Sequence, residues 1–134
     1  MGKKKIVIDT NNLISALGWN GKSRILLEKV KNCEFEWIIS TKQLDELKRV
    51  LNYPRLHIPV AQQEQFLKIV FQIAKIITTK SVITIIEDPA DNMLLECAVD
   101  GRAEYIISGD KEVLRVKEYR GIKIMTVDKF LKEA

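Results

Sequence analysis

Lys5-Ile6-Val7-Ile8-Asp9-Thr10-Asn11-Asn12 is the stretch on which the reading of the whole chain turns. Ile6, Val7 and Ile8 form an unbroken β-branched run, the pattern of a short strand buried on both faces, as in a parallel sheet. Asp9 follows at the carboxyl end of that strand, and Asn12 to Leu17 is a candidate helix. A strand that passes into a helix through polar residues predicts an α/β arrangement, and the following segments repeat the alternation. Gly18-Trp19-Asn20-Gly21 interrupts the first helix. Ser23 is the expected N-cap of a second, running to about Asn32, with Ile25, Leu26 and Val30 on one side. Trp37-Ile38-Ile39 reads as a second strand, with Ser40 as N-cap and Gln43 as capping-box partner of a helix whose stripe is Leu44, Leu47 and Leu51.

Tyr53-Pro54 ends that helix, and Phe66, Ile69, Val70 and Ile73 give helical spacing between Ala61 and Ala74. Ile76-Ile77 and Val82 to Ile86 are both extended, and one of them is expected to be a strand. Asp88-Pro89 opens another helix, with Asp88 as N-cap and Pro89 at N1, and Gly101 stops it as a C′ glycine. Tyr105 to Ile107 is a strand, Gly109-Asp110 a turn and Lys111 to Arg115 a short helix. Ile122 to Met125 is the last strand, after which Thr126 or Asp128 starts a closing helix. The alternation predicts a three-layer α/β sandwich with a mostly parallel sheet, as one domain over residues 1–134.

Composition narrows the chemistry. The chain has 134 residues, 46% of them hydrophobic and 30% charged, enough for a core without staples. There is one histidine, His57, and the only cysteines are Cys33 and Cys97, which excludes a zinc finger. His57 lies in a Pro-flanked segment and reads as structural. Both cysteines fall in predicted helices and read as core or near-core thiols. An enzyme built from these residues works with carboxylates. No run is apolar for long enough to span a membrane, and Ile6-Val7-Ile8 is too short for a signal-peptide core, which points to the cytoplasm.

Four acids stand out. Asp9 and Asp110 follow the strands ending at Ile8 and Ile107, so parallel strands bring both to the carboxyl edge, where α/β sheets carry their sites. Glu46 flanks the stripe of its helix, half turned to the interior. Asp91 stands at N3 of its helix, and Leu94, Leu95 and Ala98 continue the same stripe. Each has an ordinary reading: a turn residue for Asp9, a solvated helix edge for Glu46, a complement to the helix dipole for Asp91, a cap for Asp110. Four acids from separate segments at one sheet edge outweigh those readings taken singly. Two carboxylates about 5 Å apart repel by roughly 3 kcal/mol at an effective dielectric near 20, so such a cluster calls for a cation. Mg²⁺ or Mn²⁺ suits an all-oxygen site, and attack of a metal-activated water on phosphorus is the natural reaction.

The sequence resembles the PIN-domain nucleases. Ile6-Val7-Ile8-Asp9-Thr10-Asn11 is similar to their first motif, Leu44-Asp45-Glu46-Leu47 to the second, Asp88-Pro89-Ala90-Asp91-Asn92 to the third and Ile107-Ser108-Gly109-Asp110 to the fourth. The motifs cover essentially the whole chain in the family's order. The nearest likeness is to small prokaryotic VapC-like proteins classed as toxins of toxin–antitoxin systems. The resemblance implies a metal-dependent endoribonuclease, a parallel sheet of about five strands in order 3-2-1-4-5, a homodimer and an antitoxin partner. It assigns Asp9, Glu46, Asp91 and Asp110 as catalytic and metal-binding acids, and Thr10, Asn11 and Ser108 as supporting polar residues. Asp45 points about 100° away from Glu46 on a helix and takes no role, and Asp88 is left to capping.

RNA binding needs positive charge. Net charge is +4, and with the four acids set aside the basic residues are in clearer excess. Lys22, Arg24, Lys42, Lys48 and Arg49 are candidates for phosphate contact, and Trp19 for stacking on a base. Two other readings compete: a non-catalytic RNA- or partner-binding domain on the same scaffold, and an aspartate-nucleophile phosphatase. A haloacid-dehalogenase-type phosphatase would carry a second Asp where this chain has Asn11.

Overall fold

A computed structural model describes residues 2–18 and 20–133. Strands β1 (Lys4–Ile8), β2 (Phe35–Ser40), β3 (Ala74–Ile77), β4 (Tyr105–Ile107), β5 (Glu118–Tyr119) and β6 (Ile122–Met125) form one sheet in the order β3-β2-β1-β4-β6-β5. Ile6 pairs with Trp37 on one side and Tyr105 on the other, both in parallel register. The helices are α1 (Thr10–Gly18), α2 (Lys22–Lys31), α3 (Thr41–Leu51), α4 (Val60–Ile73), α5 (Pro89–Asp100), α6 (Lys111–Leu114) and α7 (Val127–Glu133).

Side chains alternate across a strand, so each central strand feeds two cores. Ile6, Ile8, Trp37 and Ile39 pack with Leu13, Leu26, Leu47, Phe66 and Phe130 from α1, α2, α3, α4 and α7. Val7, Ile38 and Ile106 pack on the opposite face with Leu94, Leu95 and Ala98 of α5 and Val113 of α6. That is the expected three-layer sandwich. Burying one such aliphatic side chain contributes about 1.5–3 kcal/mol, which makes β1 and β2 the best-anchored strands.

The parallel strands follow the expected order, and the sheet carries one strand more than expected. β5 is a two-residue antiparallel edge strand, paired Tyr119 to Ile122. It is joined to β6 by Arg120 and Gly121 at φ of 51° and 82°. Two positive φ values make a two-residue hairpin turn whose twist matches the strands it joins. Of the two extended candidates, Ala74–Ile77 is the strand, and residues 82–86 form none. The backbone there is held by α5 side chains instead. Asp100 accepts from the Lys80 and Ser81 N–H groups, Glu96 from the Ile83 N–H, and Asn92 both accepts from and donates to Ile86. Asn92, Glu96 and Asp100 are spaced four apart, one line along the helix.

Several local expectations change. Gly21, not Ser23, is the N-cap of α2, because Ser23 Oγ donates to Asn12 Oδ1 at 2.9 Å. Ile25 is exposed and Leu27 takes its place in the core. Ser40 caps α3 as expected, but the Gln43 side chain donates to the Ile8 carbonyl at 2.6 Å instead of closing the box. Thr126 Oγ1 accepts from the Lys129 N–H and so opens α7. Cys97 is a core thiol, its ionisation pushed up to about 12 by burial, whereas Cys33 lies past the end of α2, exposed, at φ 63°. His57 is exposed and takes φ 50°, its N–H donating to the Pro54 carbonyl at the end of the short 3₁₀ turn Pro54–Leu56.

Gly101 ends α5 at φ −84°, so it is not a left-handed cap, and Arg102 adopts the positive φ. Its need for glycine is steric: a Cβ would meet Ile38 Cγ2 at 2.8 Å and the Cys97 carbonyl at 2.9 Å. Gly101→Ala is therefore expected to destabilise the fold by about 1–3 kcal/mol. A lower urea midpoint with an unchanged m-value is the result to look for. An unchanged midpoint would mean that the helix end moves off β2 freely.

Candidate functional site: an acid cleft at the carboxyl edge of the sheet

Parallel register places the ends of β1 and β4 side by side, and the Asp9 N–H donates to the Ile107 carbonyl at 3.0 Å. Chain direction then reverses into helices, so the N-termini of α1, α5 and α6 open at this edge. A cleft of about 160 Å³ lies among them, lined by Asp9, Glu46, Asp88, Asp91 and Asp110, by Thr10 and Asn11, and by Val50, Ala90 and Leu94. All four acids singled out in the sequence therefore meet. Asp88, read as a cap alone, joins them.

Asp9 is 6% exposed. One of its oxygens accepts from the Asn12 N–H and Asn12 Nδ2, both at 2.8 Å. The other accepts from Ser108 Oγ at 2.6 Å and the Gly109 N–H at 3.3 Å. Four donors fill the four acceptor positions of a carboxylate. Asn12 is in turn held by Ser23, so a polar chain runs from α2 to the floor of the cleft. Thr10 Oγ1 donates to Glu46 Oε1 at 2.5 Å and fixes that carboxylate from the neighbouring helix.

Capping and clustering prove compatible. Asp9 caps α1, Asp88 caps α5 through the Ala90 N–H, and Asp110 caps α6 through the Glu112 and Val113 N–H groups. Each carboxylate thus sits at the positive end of a helix dipole. Asp91 makes no such bond: among the described residues no hydrogen bond to its carboxylate forms, and Asp88 caps the helix as expected. Burial, then the charges of Asp110, Asp88, Asp9 and Glu46, push the Asp91 carboxyl up from its usual range to about 6.

Among the described residues no lysine or arginine lines this cleft, so its negative charge has no counterion from them there. A hard divalent cation fits that donor set. The four acids do not form a ready coordination shell, however: among the described residues no three His, Cys, Asp or Glu side chains are grouped to hold a metal ion. The reason is visible in the hydrogen bonds. Asp9 has its acceptor positions filled, Glu46 is tied to Thr10, and one Asp110 oxygen faces α6. One or two carboxylates with several waters, the habit of Mg²⁺, is the arrangement that remains open.

The expected nucleic-acid contacts scatter. The Arg24 guanidinium donates to the Ala16 and Leu17 carbonyls at 3.0 Å each and to Asn20, closing the end of α1. Lys22 pairs with Asp128 on α7, and Lys48 lies 6.0 Å over the Phe71 ring. Lys42 pairs with Glu96 at 3.7 Å, and with Arg49 it borders a groove next to the cleft. Trp19 lies outside the described residues. Sequence reasoning gave Asn12 no part in the site, and read Gln43 only as a capping-box partner and Asp88 only as a cap. Only Asn12 carried a local signal, its place at N3 of a helix capped by Asp9.

A mostly parallel α/β sheet with clustered carboxylates at its carboxyl edge defines a class of domain, and comparison with known proteins gives the family. A PIN-domain profile matches residues 5–112, and the chain belongs to the PIN-domain family. Among solved structures it is similar to a chain in the crystal structure of VapBC2 from Rickettsia felis bound to a DNA fragment from their promoter. The TM-score is 0.63 at 16% sequence identity, over 90% of this chain and 96% of that one. No curated protein matches.

Proposed function

We propose that this chain, acting as one domain, is an endoribonuclease that hydrolyses RNA phosphodiester bonds with Mg²⁺ or Mn²⁺ at the acid cleft. The observation that carries this reading is the cleft's lining, five carboxylates without a basic residue. Membership of the PIN-domain family supports it. Asp9, Glu46, Asp91 and Asp110 are the acids we assign to the ion's site, one or two of them as direct ligands, with Asp91 the least committed to other partners, and the rest acting through the waters that complete its shell. A bound cation supplies charge neutralisation at the phosphoryl oxygens and a water of lowered pKa. The protein's part is to hold the carboxylates. Asn12 and Ser108 fix Asp9, Thr10 fixes Glu46, and Asn11 lies exposed at the cleft mouth where substrate enters.

The resemblance in fold to a chain of the VapBC2 complex supports a role as the toxin of a toxin–antitoxin pair. A homodimer as the working form and the cytoplasm as its place belong to the same proposal and rest on the family resemblance alone. Among the described residues no helix is long and apolar enough to cross a membrane.

The test is cleavage of labelled single-stranded RNA with Mn²⁺ and with chelator. Cutting is expected in Mn²⁺ and its loss in chelator, and robust cutting by clean protein in excess chelator would sink the metal assignment. The rate should also climb with pH. With its carboxyl held up at about 6, Asp91 is mostly protonated at pH 5 and mostly ionised at pH 7. At subsaturating Mn²⁺, kcat/KM is expected to rise about 10-fold over that interval and then level off. A flat profile from pH 5 to 8 would remove Asp91 ionisation from the rate.

A further inference from the structure

We propose that the groove beside the acid cleft seats the nucleotides flanking the scissile phosphate of a single-stranded RNA, with Arg49 on their phosphates. This rests on the endoribonuclease reading above. The groove has a volume of about 680 Å³ and runs between α3, the 82–87 segment and the first turns of α5. Glu46 and Ala90 line both it and the cleft, so the two are continuous. A strand whose phosphate lies among the acids therefore reaches the groove with its neighbouring nucleotide.

Its chemistry suits an unpaired strand. Ile83, Ile86 and Met93 give it apolar walls, and Val82 is left 82% exposed at its side. Apolar walls take up the faces of bases, which only an unpaired strand presents. Lys42, Glu46 and Arg49 lie on one face of α3, and the two cations stand roughly 10 Å apart along the helix. Of the acids, Glu46 belongs to the cleft and Glu87 is exposed at the rim. The Glu96 carboxylate is buried, accepts from the Ile83 N–H at 2.9 Å and holds Lys42. Arg49 has no carboxylate partner among the described residues. It is the cation beside the cleft that is free to meet a phosphate.

The experiment compares a dinucleoside monophosphate, whose single phosphate is the scissile one, with an octanucleotide of the same sequence around the cut, in Mn²⁺. In the parent, kcat/KM for the longer RNA is expected to exceed that for the shorter about 10-fold. Arg49→Ala should reduce that ratio to about 2, Arg49→Lys should restore part of it, and Val82→Asp should lower it. Lys123→Ala removes the same charge from an exposed position on β6 and should leave the ratio at the parent's value. A parental ratio near 1, or an Arg49→Ala variant that keeps the parent's ratio, overturns the groove. A parent that cuts neither RNA overturns the nuclease reading separately. In that event the ratio of Kd values for the same two labelled RNAs, read by fluorescence anisotropy, decides on the groove by the same criteria.

Discussion

Asp9→Asn is expected to lower kcat/KM by more than about 100-fold and to make the protein less stable. Loss of activity follows from removing a charge at the centre of the acid cleft, since even residues that only orient metal ligands are worth about 10–100-fold. Loss of stability follows from the hydrogen bonds. Asp9 accepts from four donors. An amide offers one oxygen, and its nitrogen would face either the two groups of Asn12 or Ser108 and the Gly109 N–H. Donors facing a donor in a buried place cost about 1–3 kcal/mol. Relief of repulsion works the other way, so a net loss of stability means that the acceptors lost outweigh the charge removed. Cleavage rates and urea melts of the two proteins check both halves. A variant that keeps the parent's rate takes Asp9 out of the reaction.

Asp91→Asn is expected to lose activity to a similar degree and to change stability in the opposite direction. Its carboxyl is raised to about 6 by burial and by four neighbouring acids, so the folded protein holds that proton more tightly than the unfolded chain does. The sign follows from linkage. Below about pH 4 the group is protonated in both states and the substitution is nearly silent. Between about pH 4 and 6 the unfolded chain ionises while the folded one still holds its proton, so the parent loses stability across that window and keeps a constant deficit above it. At pH 7 in chelator the variant should therefore melt at or above the parent. The helix dipole favours the charged form by about 0.3–1 kcal/mol, and the upward shift shows that it is outweighed. Added Mn²⁺ should raise the parent's melting point more than the variant's, since an ion that binds only the folded form stabilises it. A variant that melts lower in chelator while cleaving like the parent would make Asp91 a helix-end residue and nothing more.

The meeting of the acids in one cleft was legible in the sequence to the extent that it depends on strand ends. Asp9 and Asp110 each follow a short apolar run, and parallel pairing of those runs suffices to bring them together. Glu46 and Asp91 were readable from their register against buried leucines. What escaped depends on where distant segments meet. Nothing near Arg24 shows that α1 ends within its reach, so its commitment to the Ala16 and Leu17 carbonyls appears only in three dimensions. Ser23 has the chemistry of a cap and spends it on Asn12 instead. Residues 82–86 look like a strand because they are extended and apolar, but strand identity lies in the backbone partner, and theirs are side chains of α5. The β5 hairpin was hidden because Arg120 is an unusual residue at a positive φ, where Asn or Gly is the common signal.

The line of Asn92, Glu96 and Asp100 has a mechanical consequence. It fastens the 80–86 backbone to the same helix that carries Asp91 at its first turn. The cleft and the groove thus share a single rigid beam. Swinging the segment away would strip the Lys80, Ser81, Ile83 and Ile86 N–H groups of their acceptors. On the proposed reading, a strand is selected by its fit to a wall that these hydrogen bonds already hold in place.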